Sequence, residues 1–389
     1  MVCLSTHMRR LVSIEYDRVT IEAGMQLEAL VALLRGMSRQ LEASLPTIKS
    51  MTIAGAMATG CHGSAASLGP LSSAVLALQL VLAHGELLSC SKTENAEVFR
   101  AALCSLGALG IVVSVTVKTR PLTFVAERLV WSTEVPQLRA VAEQSMYAKM
   151  YGFGNSGITV TLLGQPSLCS EPPEASHWSD DMLRQARGLL RRTEGLLFAL
   201  IFLLLPLAWC WRLHALWTRH VASSSGAAVT IVEEPTSPVL LVPQHTSEFA
   251  VPLSRADSLW GHLRQLISER PELPMHFVEI RFVAGDAESL ISPTAHCGAE
   301  RCFVYFGLVV FQPFGRAPQH MAELLALFGR LCVGEADGRP HYAKNHSLKA
   351  ADFGIIFGDN WRQFCNVRKR VDPSGMFLNS HLRSILEET

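Results

Sequence analysis

Residues 50 to 69, SMTIAGAMATGCHGSAASLG, pass through Gly55, Gly60, Gly63 and a series of Ala and Ser, so almost no side-chain bulk lies between this backbone and its surroundings. Such a stretch folds only where its amides find partners. Tight turns packed on a sheet would supply them, and so would a flat or anionic ligand that the backbone approaches closely. A helical pattern precedes it: Leu27, Leu30, Val31 and Leu34 recur at i, i+3, i+4, i+7 within residues 26 to 36, where Gly36 can end the helix. A long apolar strand pattern, AVLALQLVLA at 74 to 83, follows it. No Lys follows the glycines as in a P-loop, and there is no GxGxxG.

The rest of the chain alternates strands and helices. LVSIEYDRVTIEAG (11 to 24) reads as two strands around the polar turn Tyr16-Asp17-Arg18, and His84-Gly85 turns the 74 to 83 strand into a second one at 87 to 90. Ser91 and Glu94 fit a capping box for a helix over 94 to 106. IVVSVTVKT (111 to 119) alternates β-branched residues until Arg120-Pro121 closes it. Strands are expected at 125 to 131 and 158 to 163, followed by a Pro/Ser/Glu-rich loop at 164 to 181. Beyond a small-residue linker at 222 to 228, strands fit 229 to 232, 239 to 242, 247 to 252, 276 to 284 and 303 to 311, and helices fit 256 to 269 and 318 to 331. The chain is expected to be α+β with two domains, which suits 389 residues: 1 to 121, then 122 to 340, with 341 to 389 as a closing C-terminal segment.

Composition excludes several partners and states. Lys plus Arg and Asp plus Glu both number 34, so no basic surplus draws the chain onto nucleic acid. With 49% apolar and 17% charged residues the chain is too apolar for general disorder. Its ten cysteines have no CxxC and no zinc-type spacing, which points to free thiols and no metal site. The N-terminus has no secretory signal pattern. One insertion, 195 to 217, stands apart: LLFALIFLLLPLAWCW (196 to 211) carries no charge, between flanks rich in Arg. As a helix it spans about 24 Å, short of a ~30 Å hydrocarbon core, and Pro206 interrupts it. A buried helical hairpin and contact with a membrane, aided by Trp209, Trp211 and Trp217, both fit this pattern.

Three further segments carry chemistry. In HFVEIRFVAG, strand alternation puts Glu279 and Arg281 on the face opposite Val278, Ile280 and Phe282. That face is either a solvated one with an incidental ion pair, or a polyol site where Arg281 fixes a substrate oxygen and Glu279 orients or deprotonates the hydroxyl being oxidised. Arg339-Pro-His-Tyr-Ala-Lys344-Asn-His346 gathers cations into a segment that, taken alone, reads as a surface loop. Asp372-Pro-Ser-Gly375 fits a type I turn. There is no GxSxG, HExxH or kinase motif.

Taken in order, VTIEAGMQLEAL (19 to 30), SMTIAGAMATGCHGS (50 to 64), SLGALGIVVSVTVK (105 to 118), GRPHYAKNH (338 to 346) and DPSGMFLNSHL (372 to 382) resemble the aldonolactone oxidoreductases of the vanillyl-alcohol-oxidase-type flavoproteins, the group of L-gulonolactone and D-arabinono-1,4-lactone oxidases. The resemblance implies a flavoenzyme with an N-terminal FAD domain under a cap domain built on an antiparallel sheet. Carried over by motif, Thr52, Gly55, Thr59, Gly60, Cys61, His62, Gly63 and Ser64, with Gly107, Gly110, Ile111 and Val112, would line FAD. Glu279, Arg281 and Lys344 would face substrate and flavin.

The implied reaction is oxidation of a sugar-1,4-lactone by hydride transfer to flavin N5, with oxygen or another electron acceptor reoxidising the flavin, as in ascorbate or erythroascorbate synthesis. By the same resemblance the protein would be membrane-associated, in the endoplasmic reticulum or mitochondrion. Two departures stand out. The family's glycine-rich phosphate-binding loop, with its flavin-linking histidine, would precede the first hairpin, yet the first glycine here is Gly24. The chain is therefore expected to start inside its first domain and to hold FAD non-covalently, and His7 takes no covalent role. Cys61 stands where the family usually has Thr. The alternative is a non-catalytic, membrane-associated descendant that no longer binds FAD.

Overall fold

A computed structural model describes residues 4–132, 134, 136–153, 158–167, 229–232, 243–275, 277–296, 300–312 and 316–387. The uncharged run at 196 to 211, the linker at 222 to 228, the strand expected at 239 to 242 and most of the 164 to 181 loop lie outside these residues. Among the described residues no helix is long and apolar enough to cross a membrane.

The N-terminal part forms one antiparallel sheet. The expected hairpin is present as β1 (Leu11–Ile14) and β2 (Arg18–Glu22), with Val19 and Ile21 buried, and it leads into α1 (Leu27–Gly36), whose Leu27, Leu30 and Leu34 enter the core. A short β3 (Arg39–Leu41) precedes the small-residue stretch, which folds as α2 (Ile53–Ala58) and the loop after it. Then come β4 (Val75–Val81), β5 (Leu87–Ser91), α3 (Ala96–Ala102) and β6 (Ile111–Pro121). Strand order is β1-β2-β6-β4-β5, with β3 also pairing β6.

Helix α3 is shorter than the 94 to 106 expected, and the capping box does not form. Asn95 holds a left-handed φ of 47° at its start, while Ser91 Oγ accepts from the amides of Thr93 and Glu94 and so closes the turn before the helix.

An eight-stranded antiparallel sheet follows. It comprises β7 (Val125–Ser132), β8 (Tyr147–Phe153) after α4 (Leu138–Gln144), β9 (Ile158–Pro166), β10 (Val229–Val232), β11 (Gln244–Pro252), β12 (Phe277–Ala284), β13 (Cys302–Phe311) and β14 (Arg339–Pro340). Their order is β10-β7-β9-β8-β12-β13-β11-β14. One face packs Phe249, Ile280 and Phe306 under α5 (Leu253–Glu269) and α6 (Met321–Arg330), which contribute Leu259, Trp260, Leu324 and Phe328. Burying this apolar face supplies most of the second core's stability.

The segment expected to be a surface loop is not one. β14 pairs along β11, and His341 and Tyr342 are buried because the chain continues down that sheet edge, where His341 N donates to Glu248 O (2.9 Å) and Asn345 N to Thr246 O (3.0 Å). The C-terminal helices α7 (Ala350–Phe357), α8 (Asp359–Val371) and α9 (Ser380–Leu386) return to the first core, where Phe353 stacks on Trp361 at 5.1 Å. Between α8 and α9 the Asp372 turn forms as expected: its buried carboxylate accepts from the amides of Met376 (2.9 Å) and Phe377 (3.0 Å), and Gly375 holds a φ of 66°.

Gly152 on β8 shows how tightly the second core closes, because a Cβ there would sit 2.2 Å from the Trp260 ring. Gly152→Val is expected to destabilise the fold by about 1–3 kcal/mol, since the buried indole cannot swing aside, and urea denaturation would measure it.

Candidate active site

Strand register assembles the site. Glu248, Gly307, Glu279 and Tyr151 form one row across β11, β13, β12 and β8, and Ala250, Tyr305, Arg281 and Lys149 form the next. Both rows lie on the sheet face opposite the apolar core, because side chains two apart share a face. Gly307 leaves room between the two carboxylates: a Cβ there would lie 3.5 Å from Glu248 Oε1 and 3.6 Å from Glu279 Cβ.

This face is not solvated. The side chains of Glu279 and Arg281 are only 14% and 16% exposed, because the loop after α2 covers them. Ser64 fastens that loop: its hydroxyl donates to Ala148 O and accepts from Phe282 N (3.0 Å), at the point where β8 stops pairing with β12. Ala65 then bridges Val283, and Ala284 N donates to Leu68 O (3.0 Å).

Glu279 is clamped between two cations, Arg281 Nη2 at 2.6 Å and Lys149 Nζ at 3.1 Å. Burial works to raise its carboxyl pKa, but the charges of Arg281 and Lys149 outweigh that and hold it at about 2. Burial lowers Lys149 to about 8, helped by Arg281 and opposed by Glu279. Arg281 stays charged despite burial because Glu279 and Glu248 face it.

The second carboxylate, Glu248, lies 3.6 Å from His62 Nε2, while His62 Nδ1 donates to Gly63 O (2.9 Å) and the ring stacks on Tyr305 at 3.5 Å. Burial would raise Glu248, but His62 and Arg281 hold it well below the usual carboxylate range. His341 completes the group. Burial drops it to about 3, so it is neutral at pH 7. His62, Glu248 and His341 each present a ligand atom within 4.8 Å of the others, a grouping that sequence spacing did not indicate.

Of the motif-assigned residues, His62, Gly63, Ser64, Glu279 and Arg281 meet at this face. Leu106 N donates to Ala58 O (2.9 Å), which sets the Gly107 turn beside the end of α2. Gly60 (φ 69°) and Gly107 (φ 76°) keep left-handed turns, and above Gly107 a Cβ would meet nothing within 4 Å. Lys344 is close enough to Cys61 and His341 to affect their titration.

The hydroxyls expected to face a ligand are largely engaged within the protein. Thr52 Oγ1 caps Gly55 N (3.2 Å), Thr59 Oγ1 donates to Gly55 O (3.0 Å), and Ser64 is the fastener described above. Ile111 and Val112 pair with β4, and Val112 is buried in the core. Cys61 is buried and its thiol is pushed up by burial. Sequence reading passed over Glu248, Lys149, Tyr305 and Tyr151. The available signal was a lone charge inside an apolar strand, Glu248 in SEFAVP and Lys149 in YAKMYGF.

The fold is shared with cholesterol oxidase from B. sterolicum, which superposes with a TM-score of 0.71 at 17% identity, over 98% of this chain and 84% of that one. The N-terminal residues 1–91 match the FAD binding domain family. Residues 132–385 match the D-arabinono-1,4-lactone oxidase family model, and the chain belongs to that family. Relatives include L-gulonolactone oxidase of Mus musculus, 28% identical over 97% of this chain and 83% of its own length. L-gulono-1,4-lactone dehydrogenase of Mycobacterium tuberculosis is 28% identical over 95% and 81%, and D-arabinono-1,4-lactone oxidase of Yarrowia lipolytica is 26% identical over 94% and 81%.

The clamp on Glu279 links stability to pH. Its folded pKa of about 2 lies below the ordinary 4.5, so the unfolded chain binds more protons in between, and the stabilisation is complete above pH 4.5 and lost as pH falls toward 2. Glu279→Gln should cost about 3–5 kcal/mol at pH 7, by leaving two buried cations uncompensated, and should flatten that acid limb in denaturation curves taken at stepped pH.

Proposed function

We propose that this protein oxidises a sugar-1,4-lactone of the L-gulono-, L-galactono- or D-arabinono- type, using FAD. The observation that carries the reading is the buried Glu279–Arg281 pair facing the Gly60–Ser64 loop, in a chain of the D-arabinono-1,4-lactone oxidase family. The face fits a polar ring system. Arg281 Nε and Tyr305 Oη are buried there without acceptors, and the loop opposite has the small residues Gly60, Gly63 and Ser64. The segments Thr52 to Ser64 and Gly107 to Val112 would hold FAD. When bound, FAD supplies the two-electron acceptor for the hydrogen leaving the carbinol carbon.

The chain's own residues orient and exclude. Arg281 donates to a lactone oxygen, and Glu279 accepts from the substrate hydroxyl. Held at about 2, Glu279 is a weak base, so its role is to orient that hydroxyl rather than to remove its proton. Lys149, at about 8 and 3.1 Å from Glu279, is the better placed group to receive it. Lys344 adds positive charge near Cys61. Non-covalent FAD, oxygen as the final acceptor, and membrane contact through 196 to 211 in the endoplasmic reticulum or mitochondrion complete the reading, the last on sequence alone.

The test is direct. Protein purified with FAD should show a flavin's visible absorbance, release it on acid precipitation, and consume oxygen with at least one of the three lactones. A colourless folded protein inert to all three would instead support a non-catalytic role. Arg281→Lys keeps the charge but loses the two-pronged fork, and should lower kcat with the lactone by about 10²–10³-fold. The initial rate should rise with an apparent pKa near 8, the value Lys149 is held at. Lys149→Gln should remove that limb of the profile.

A further inference from the structure

Two buried histidines, His62 and His341, lie beside Glu248, and their hydrogen bonds put them in different protonation states. His62 Nδ1 lies 2.9 Å from Gly63 O, and a carbonyl only accepts, so this nitrogen carries a proton. Nε2 faces Glu248 Oε1 at 3.6 Å, and a carboxylate also only accepts. A lone pair on Nε2 would point at that buried negative charge. The ring therefore holds protons on both nitrogens. Its stacking supports the charge: the ring lies on Tyr305 with centroids 3.5 Å apart and planes 13° from parallel, so a cation rests on the negative face of the phenol ring.

His341 is the contrast. Its Nδ1 accepts from Ala343 N (3.1 Å), so its one proton sits on Nε2 and the ring is neutral. Burial acts in the same direction and lowers it to about 3. With Nδ1 in use and Nε2 protonated, His341 offers no lone pair to a metal ion, and the three residues form a proton-bearing group rather than a metal centre. The other ionisable groups facing the pair are Arg281 on β12, Lys149 on β8 and Tyr305 on β13, with Lys344 and Cys61 at the loop. Arg281 gives Nη2 to Glu279 (2.6 Å), which leaves His62 as the direct partner of Glu248.

We propose that Glu248 is a positioning residue that keeps His62 an imidazolium, and that this fixed charge favours the reduced, more negative form of the FAD that the loop at 52 to 64 would hold. The charge on His62 stands on geometry alone; its use toward FAD rests on the FAD-dependent reading above. Within the pair His62 is the member on the loop, between Gly60 and Ser64, while Glu248 lies behind it on β11. A cation held there before reduction costs no reorganisation when negative charge arrives.

Protein carrying isotope-labelled histidine, purified after incubation with FAD, tests both parts. In nitrogen NMR spectra at neutral pH, the His62 ring, assigned through its loss in His62→Gln, should show an N–H at both nitrogens, and in Glu248→Gln at only one. A singly protonated His62 in the parent overturns the proposal, and that spectrum needs no variant. Redox titration of bound FAD against a reference dye should show Glu248→Gln binding reduced relative to oxidised FAD about tenfold less well than the parent, while Glu248→Asp, which keeps the carboxylate, stays within about threefold of it. If Glu248→Gln does not fold, His62→Gln is read in its place. An unchanged ratio in the folded variant overturns the use toward FAD. Protein that binds no FAD overturns the FAD-dependent reading, and the histidine spectrum still decides the charge.

Discussion

The Ser64 hydroxyl occupies the position on which the rest of the site depends. By donating to Ala148 O and accepting from Phe282 N it takes over the hydrogen bonding of β12 where β8 ends, and the bridge from Ala65 to Val283 extends the join. A loop of the first domain thereby becomes an extra strand-like edge of the second domain's sheet. This join buries the polar face bearing Glu248, Glu279, Arg281 and Lys149 without burying it in hydrocarbon. Gly63 lets the segment at 43 to 49 lie against this loop, since a Cβ there would sit 2.1 Å from Leu45 O, closer than any side chain tolerates.

Burial then decides the electrostatics. In water the Glu279–Arg281 pair would be a surface ion pair of little consequence. Under the loop, with Lys149 added, it becomes a network whose members fix one another's charge: Glu279 stays a carboxylate and Arg281 a cation, while desolvation lowers Lys149 to about 8. The second carboxylate, Glu248, is in turn held ionised despite its burial by His62 and Arg281. These groups are costly to bury, and the structure keeps them where an apolar face would have packed more stably, which is the mark of a working site rather than a structural core.

Much of the secondary structure was legible because the hydrophobic period is a local property. The β1–β2 hairpin, α1, β4, β5, β6 and most strands of the second sheet fall where alternation placed them. The errors have local causes as well. Asn95 in a left-handed conformation starts α3 late, and Ser91 serves a turn instead of a helix. Alternation also put Glu279 and Arg281 correctly on the face away from the apolar core, but could not tell whether water or protein lay over them.

The sequence by itself determined the order of elements, the α+β class, the family motifs and the identity of the central charged pair, because each is written in residues close together along the chain. Only the tertiary structure decided which distant residues complete the site. Glu248 lies 31 residues before Glu279 and Lys149 lies 130 before it, yet strand register places all three on one patch of sheet. The segment at 339 to 346, which reads as a basic surface loop, becomes a buried sheet edge for the same reason. Hydrogen-bond register between strands is a non-local pairing, and a single sequence carries no periodic signal for it.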